Sequence, residues 1–215
     1  MTDQLPHMLR ADAQDNRDRV MDAAKALFSE HGLAVTMREI ARRAGVGPAT
    51  LYRRFPTKQD LVEEAFAQEL RACRDIVDDG AADPDPWRGF CTVIEQTVVV
   101  NVRNHGFVEA FMSEDREAGG FAAHRATLFR KVAELAWRAQ AAGELRPDFV
   151  IDDVVLVLVA ARGLASLPLD SRQAAARRYA ALAIDGFRAS TAHGRLPRAP
   201  KLGIAVTTGR RKTST

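Results

Sequence analysis

Six basic side chains, Arg38, Arg42, Arg43, Arg53, Arg54 and Lys58, crowd into about twenty positions that hold only two acids, Glu39 and Asp60. A guanidinium forks onto phosphate or a guanine edge and an ammonium neutralises phosphate as a point charge, so this density offers contact with a polyanion. Between the bases lie Gly47, Pro48, Ala49, Thr50 and Tyr52. Small side chains let a backbone approach base edges, and a tyrosine hydroxyl can pin a phosphate. A helical hairpin with an ordinary basic solvent face would use the same residues, and charge alone leaves that alternative open.

Other chemistry has little to work with. There is no nucleotide-type glycine loop, no Gly-x-Ser-x-Gly elbow and no His-Glu-x-x-His. The acid pairs Glu63-Glu64, Asp78-Asp79 and Asp152-Asp153 are adjacent, so on a helix they diverge by about 100° instead of converging as an acid/base pair. Cys73 and Cys91 have no metal-ligand spacing and read as free thiols of a reducing interior. No catalysis, cofactor or metal is expected. The polar, acidic N-terminus lacks the form of a secretion signal, and the longest apolar run, 154–161, is too short to cross a bilayer. The expectation is a soluble cytoplasmic protein without a membrane partner.

The basic cluster needs elements that hold it. A first helix is expected over 16–30, with Val20, Ala23, Ala24, Leu27 and Phe28 as its apolar stripe and His31-Gly32 as its exit. Thr36 and Glu39 have capping-box spacing, so a second helix starts there, turning Ile40 and Ala44 inward. Gly45-Val46-Gly47 is a turn too short to let the next helix run alongside. Pro48 presets the first angle of that helix, and Leu51 and Phe55, four apart, face the core. Ala49, Thr50, Tyr52, Arg53 and Arg54 are left to point outward. A short capped helix, a tight turn and a second helix with such a face is what reading a major groove requires.

The run VTMREIARRAGVGPATLYRRFPTKQDLV resembles the DNA-binding signature of the TetR family, including Leu-Tyr-x-x-Phe and the following Thr-Lys. The resemblance covers roughly the first 65 residues. It implies that Thr36 and Lys58 hold phosphates at helix N-termini, that Tyr52 holds another, and that Pro48, Ala49, Thr50 and Arg53 face the groove. Gly47 stands where the family often has Ser or Thr, so only its backbone N–H could serve a phosphate there.

Beyond Pro56 one long helix is expected over 57–77, then a loop over 78–86, then five helices at about 87–104, 107–113, 120–142, 149–165 and 171–191. The fold class is all-α. A flexible N-terminus spans 1–15, a three-helix helix-turn-helix domain 16–62, a helical effector-binding and dimerisation domain 63–191, and a basic disordered tail 192–215. Net charge segregates accordingly: +2 over 1–60, −6 over 61–187 and +7 over 188–215. The helix over 149–165 is apolar nearly all round, and the last offers Ala175, Tyr179, Leu182, Ala183 and Phe187 along one face. In the family resemblance these two helices form the homodimer contact, although an intramolecular core would use many of the same residues. Phe90, Phe107 and Phe111, with Phe121, Phe129 and Trp137, could line a cavity for a small-molecule effector, and His105 and His124 are its candidate polar groups. Core packing accounts for the same aromatic stripe. The expected function is a homodimeric repressor of a palindromic operator in double-stranded DNA, released by a small molecule. Two alternatives remain at this point: a helical module whose basic hairpin binds an acidic protein, and a ligand-binding protein without operator recognition.

Overall fold

The computed structural model describes residues 5–112, 119–191 and 194–198 of the 215. Those residues form α1 (Leu5–His31), α2 (Met37–Ala44), α3 (Pro48–Arg54), α4 (Lys58–Ala65), α5 (Ala67–Ala82), α6 (Pro86–Arg103), α7 (His105–Met112), α8 (Gly119–Ala141), α9 (Ile151–Ala161) and α10 (Leu169–Phe187). Short 3-10 turns follow α1 and α9. Among the described residues no strand forms, and a single bridge pairs Leu145 with Arg188.

α1 starts at Leu5, about three turns before the expected Asn16, so the described part of 1–15 is helical. Polarity does not oppose a helix in itself. No glycine interrupts Leu5–His31, and its one proline, Pro6, falls in the first turn, where its missing N–H has no partner to lose. The stripe Val20, Ala23, Ala24, Leu27 and Phe28 is buried.

The helix expected over 57–77 is broken at Phe66, whose backbone leaves the α region at φ −106, ψ 14. Every neighbouring residue favours helix, so periodicity cannot mark the break. Its location coincides with a tertiary contact: the Phe66 ring lies between those of Phe28 and Phe107, 5.8 Å from each. One continuous core therefore runs from α1 into the second half of the chain.

The loop expected over 78–86 shrinks to Asp83–Asp85, because α5 continues to Ala82. Gly80 acts there as a contact surface rather than a breaker. A Cβ on Gly80 would sit 2.9 Å from the Gly89 carbonyl oxygen, and one on Gly89 would overlap the Gly80 carbonyl, so α5 and α6 cross backbone to backbone. Gly89→Ala is expected to destabilise the fold by about 1–3 kcal/mol or more, through forced separation of the two helices. Gly186→Ala, with open space around it, should instead be neutral or stabilising. Urea unfolding of both variants distinguishes a tight crossing from a loose one.

α6 is the central post, packed against α5, α8, α9 and α10. At its start Phe90 meets Phe149 and Phe187 edge-on at 5.4 and 6.1 Å and stacks on Trp87 at 5.9 Å. Beside that cluster the buried Arg146 donates to Asp148 and to the Gly186 and Gly194 carbonyls, while Leu196 N–H donates to Asp148. The guanidinium holds the Asp148 carboxyl well below the usual carboxylate range. Residues 194–198 are thus tied to the domain where a disordered tail was expected, since a buried arginine has more donors than one carboxylate can accept. The remainder of the expected tail, 192–193 and 199–215, lies outside the described residues. On α10 the buried positions are Ala176, Ala180 and Phe187, and Leu182 turns outward.

Candidate nucleic-acid interface

α2 begins as its spacing implies. Thr36 Oγ1 accepts from Glu39 N–H at 3.3 Å and donates to the Glu39 carboxylate at 2.7 Å, which also accepts from Thr36 N–H. Those hydrogen bonds hold the Glu39 carboxyl below its ordinary pKa. Thr36 is exposed, but its hydroxyl proton is engaged by Glu39. Gly45 ends α2 in the left-handed region at φ 66, which a side chain would strain, and its N–H reaches the Ala41 and Arg42 carbonyls.

Gly47 caps α3 without a side-chain bond, and Pro48 is the first helical residue. Leu51 and Phe55 are 1% and 2% exposed and clamp the short helix to the core. Its other positions, Ala49, Thr50, Tyr52, Arg53 and Arg54, are all exposed, as are Gly47 and Pro48. Arg38, Arg42, Arg53 and Arg54 form no ion pair among the described residues, whereas Arg43 is held bidentately by Glu30 at 3.0 and 3.1 Å. The result is a fixed helix with a cationic, small and hydroxylic outer face.

Lys58 differs from its expected placement. Its ammonium is half-buried and donates to the Leu33 carbonyl, between the end of α1 and the start of α4. Four methylenes let the lysine fold back on the chain, which motif spacing cannot reveal. The capping box at that helix start belongs to Thr57 and Asp60. Arg17 and Glu64 pair across α1 and α4 and brace the same module.

Behind this head, α5 to α9 surround an internal space of about 30 Å³. Phe107 and Phe111 line it, and Phe129 joins them. Phe90 does not line it, because that ring is spent on Trp87, Phe149 and Phe187. Nor does His124, whose Nε2 meets Arg74 at 2.9 Å on the outer side of α8. Phe121 is buried, Trp137 is 67% exposed, and the side chain of His105 lies outside the described residues. Sequence reasoning overlooked Thr97 and Asn101 in this wall. The available signal was a lone amide in the apolar run Val98-Val99-Val100-Asn101-Val102.

Comparison with known proteins bears on both halves. A family profile described as bacterial regulatory proteins, tetR family, matches residues 20–65, and one described as the C-terminal domain of SbtR-like transcriptional regulators matches 85–189. The TetR transcriptional regulator SCO0520 from Streptomyces coelicolor is 30% identical, with a TM-score of 0.51 over 81% of this chain and 99% of that one. The chain belongs to the TetR family of transcriptional regulators. TetR-type architecture also appears in the regulator PfmR from Thermus thermophilus, which at 20% identity and a TM-score of 0.61 over 78% of this chain and 97% of its own shares the fold. An HTH-type transcriptional regulator of Staphylococcus aureus is 40% identical over 63 residues, 29% of this chain. The chain spans about a third of the length of the curated relatives it matches, 34% in that case. As a TetR-family member the protein is a DNA-binding regulator of transcription and not an enzyme. Among the described residues no helix is long and apolar enough to cross a membrane.

Proposed function

We propose that this TetR-family chain is a homodimeric repressor whose α3 helices enter successive major grooves of a palindromic operator and withdraw when a small molecule occupies the second module. The observation that carries the reading is the α3 face: Thr50, Tyr52, Arg53 and Arg54 all outward on a helix locked by Leu51 and Phe55. Arg53 and Thr50 face bases with Pro48 and Ala49, while Tyr52, Arg54, the Thr36 end of α2 and the Gly47 N–H meet phosphates. Lys58 is removed from the direct contacts and assigned to bracing α4 against α1, on the strength of its bond to Leu33.

Two features support ligand control. Rings of Phe28, Phe66, Phe107 and Phe111 succeed one another at 5.6–5.8 Å from the DNA head to the internal space. In parallel, Glu109 of α7 accepts from Leu33 N–H at 3.1 Å at the end of α1. An occupant that displaces α7 favours a different setting of the head, and operator affinity falls by population shift.

Support for the dimer comes from α9 and α10. Leu156, Val159, Ala160 and Gly163 make an exposed stripe at helical spacing, and Leu182 is 63% exposed on the neighbouring helix. Leu182→Arg is expected to shift the protein from dimer to monomer in sedimentation velocity, since a charge on each copy of a symmetric contact meets its own image. A variant that stays dimeric moves the interface elsewhere.

Fluorescence anisotropy with duplexes from upstream of the chain's own gene, at several salt concentrations beside scrambled duplexes, tests the whole reading. Saturable binding to one fragment that persists at moderate salt supports it. Equal, salt-sensitive binding to every duplex, or none, overturns operator recognition and favours a ligand-binding protein that has lost it.

A further inference from the structure

We propose that the internal space between α5 and α9 takes a neutral, mainly apolar molecule with one hydrogen-bonding head, which Asn101 and Thr97 receive. The inference rests on the ligand-controlled reading above and assigns the chemistry of its ligand.

Asn101 is 6% exposed, lines the space and has no hydrogen-bond partner among the described residues. The Thr97 hydroxyl is buried and likewise unpartnered. Four residues apart on α6, they sit one turn above the other on the same face. Buried polar groups are normally satisfied, and two orphans in one wall leave two donors and acceptors aimed at the same volume. The rest of that wall is apolar or aromatic, with Phe107, Phe111, Phe129 and Leu158 among it.

Nothing in the wall would stabilise an ion. It contains no Asp, Glu, Lys, Arg or His. Its one titratable group is Cys73, whose thiol burial pushes up to about 12, so it stays neutral at physiological pH. Of the charged side chains on adjoining turns, Arg125 donates to the Phe111 carbonyl, and Glu69 accepts from Asn104 through Oε1 while its buried Oε2 has no partner. A carboxylate entering would lose its water without gaining a counter-charge from the lining. An alcohol, ketone or amide head would gain a partner and give one to Asn101 and Thr97.

Size links occupancy to motion. A space of about 30 Å³ is well below the ~150 Å³ of a cavity that admits benzene, so a ring-sized occupant must press on its walls, Phe107 and Phe111 among them. Those rings continue through Phe66 to Phe28, so enlargement on the α7 side disturbs the path to the DNA head.

The test uses three molecules with one ring and different heads: benzyl alcohol, toluene and benzoate. Calorimetry and thermal unfolding of the full chain should show benzyl alcohol binding at least about tenfold more tightly than toluene, with benzoate weakest, because the site's own polar groups go unpaired without the hydroxyl. Asn101→Leu and the near-isosteric Thr97→Val should each lower the melting-temperature gain from benzyl alcohol and leave that from toluene unchanged. Three results overturn the proposal: benzoate binding as tightly as the alcohol, no binding by any of the three, or an alcohol preference that survives both substitutions. Operator anisotropy separates this proposal from the reading beneath it. A preserved alcohol preference with unchanged operator affinity keeps the ligand class and removes its role in DNA release.

Discussion

Arg53→Ala should weaken operator binding by about 1–3 kcal/mol per half-site and relax the preference for one base pair, with little change toward scrambled duplex. Leu51 and Phe55 fix the azimuth of α3, so residue 53, between them in sequence, cannot rotate inward. Its guanidinium is exposed, and among the described residues it forms no ion pair, so no internal partner competes for its fork of donors. A dimer would lose the contact twice, which makes this the largest single-residue effect expected on DNA binding. Lys58→Ala is the informative contrast. Because its ammonium is turned to Leu33, the salt slope of binding should stay where it is, whereas a phosphate contact would lower the slope by about one unit per site. An Arg53→Ala protein with wild-type operator affinity would take that residue out of the interface and move base reading to Thr50 or the flanking arginines.

What could be read from the chain follows from how local each decision is. Thr36 with Glu39, Pro48 after Gly47, and Leu51 with Phe55 act within one helical turn, so spacing alone reveals them, and the outward set on α3 follows by subtraction. The misreadings are places where distant partners decide. Phe66 stops being helical where two rings from other helices meet it, and Gly80 stays helical where Gly89 needs its bare backbone. Lys58 is drawn inward by a carbonyl 25 residues earlier. Of the aromatic residues that could line a cavity, Phe107 and Phe111 of α7 do so and Phe90 does not, because its ring at the start of α6 packs on Trp87, Phe149 and Phe187. Asn101 stood in plain view as a polar residue among valines, yet only its lack of a partner gives it meaning.

Phe66→Ala carries the largest expected effect on the fold, a loss of about 3–5 kcal/mol from burial and cavity together. The ring is 0% exposed and is the link between Phe28 of α1 and Phe107 of α7. Its removal should therefore do more than lower stability: it should let the two halves unfold separately. Both tryptophans, Trp87 and Trp137, belong to the second half, so their fluorescence follows that half alone while far-UV circular dichroism follows every helix. In the wild-type chain the two signals should move together through a urea titration, as one cooperative core requires. In Phe66→Ala the dichroism should fall first, as α1 to α4 melt, with tryptophan fluorescence changing only at higher urea. Coincident transitions in the variant would mean that the Glu109 to Leu33 bond and the close approach of Gly106 to the Phe28 carbonyl hold the head without the ring. The path from internal space to DNA head would then run along the α7 backbone rather than through aromatic contacts, and substitutions at Glu109, not Phe66, would be the ones that uncouple ligand from operator.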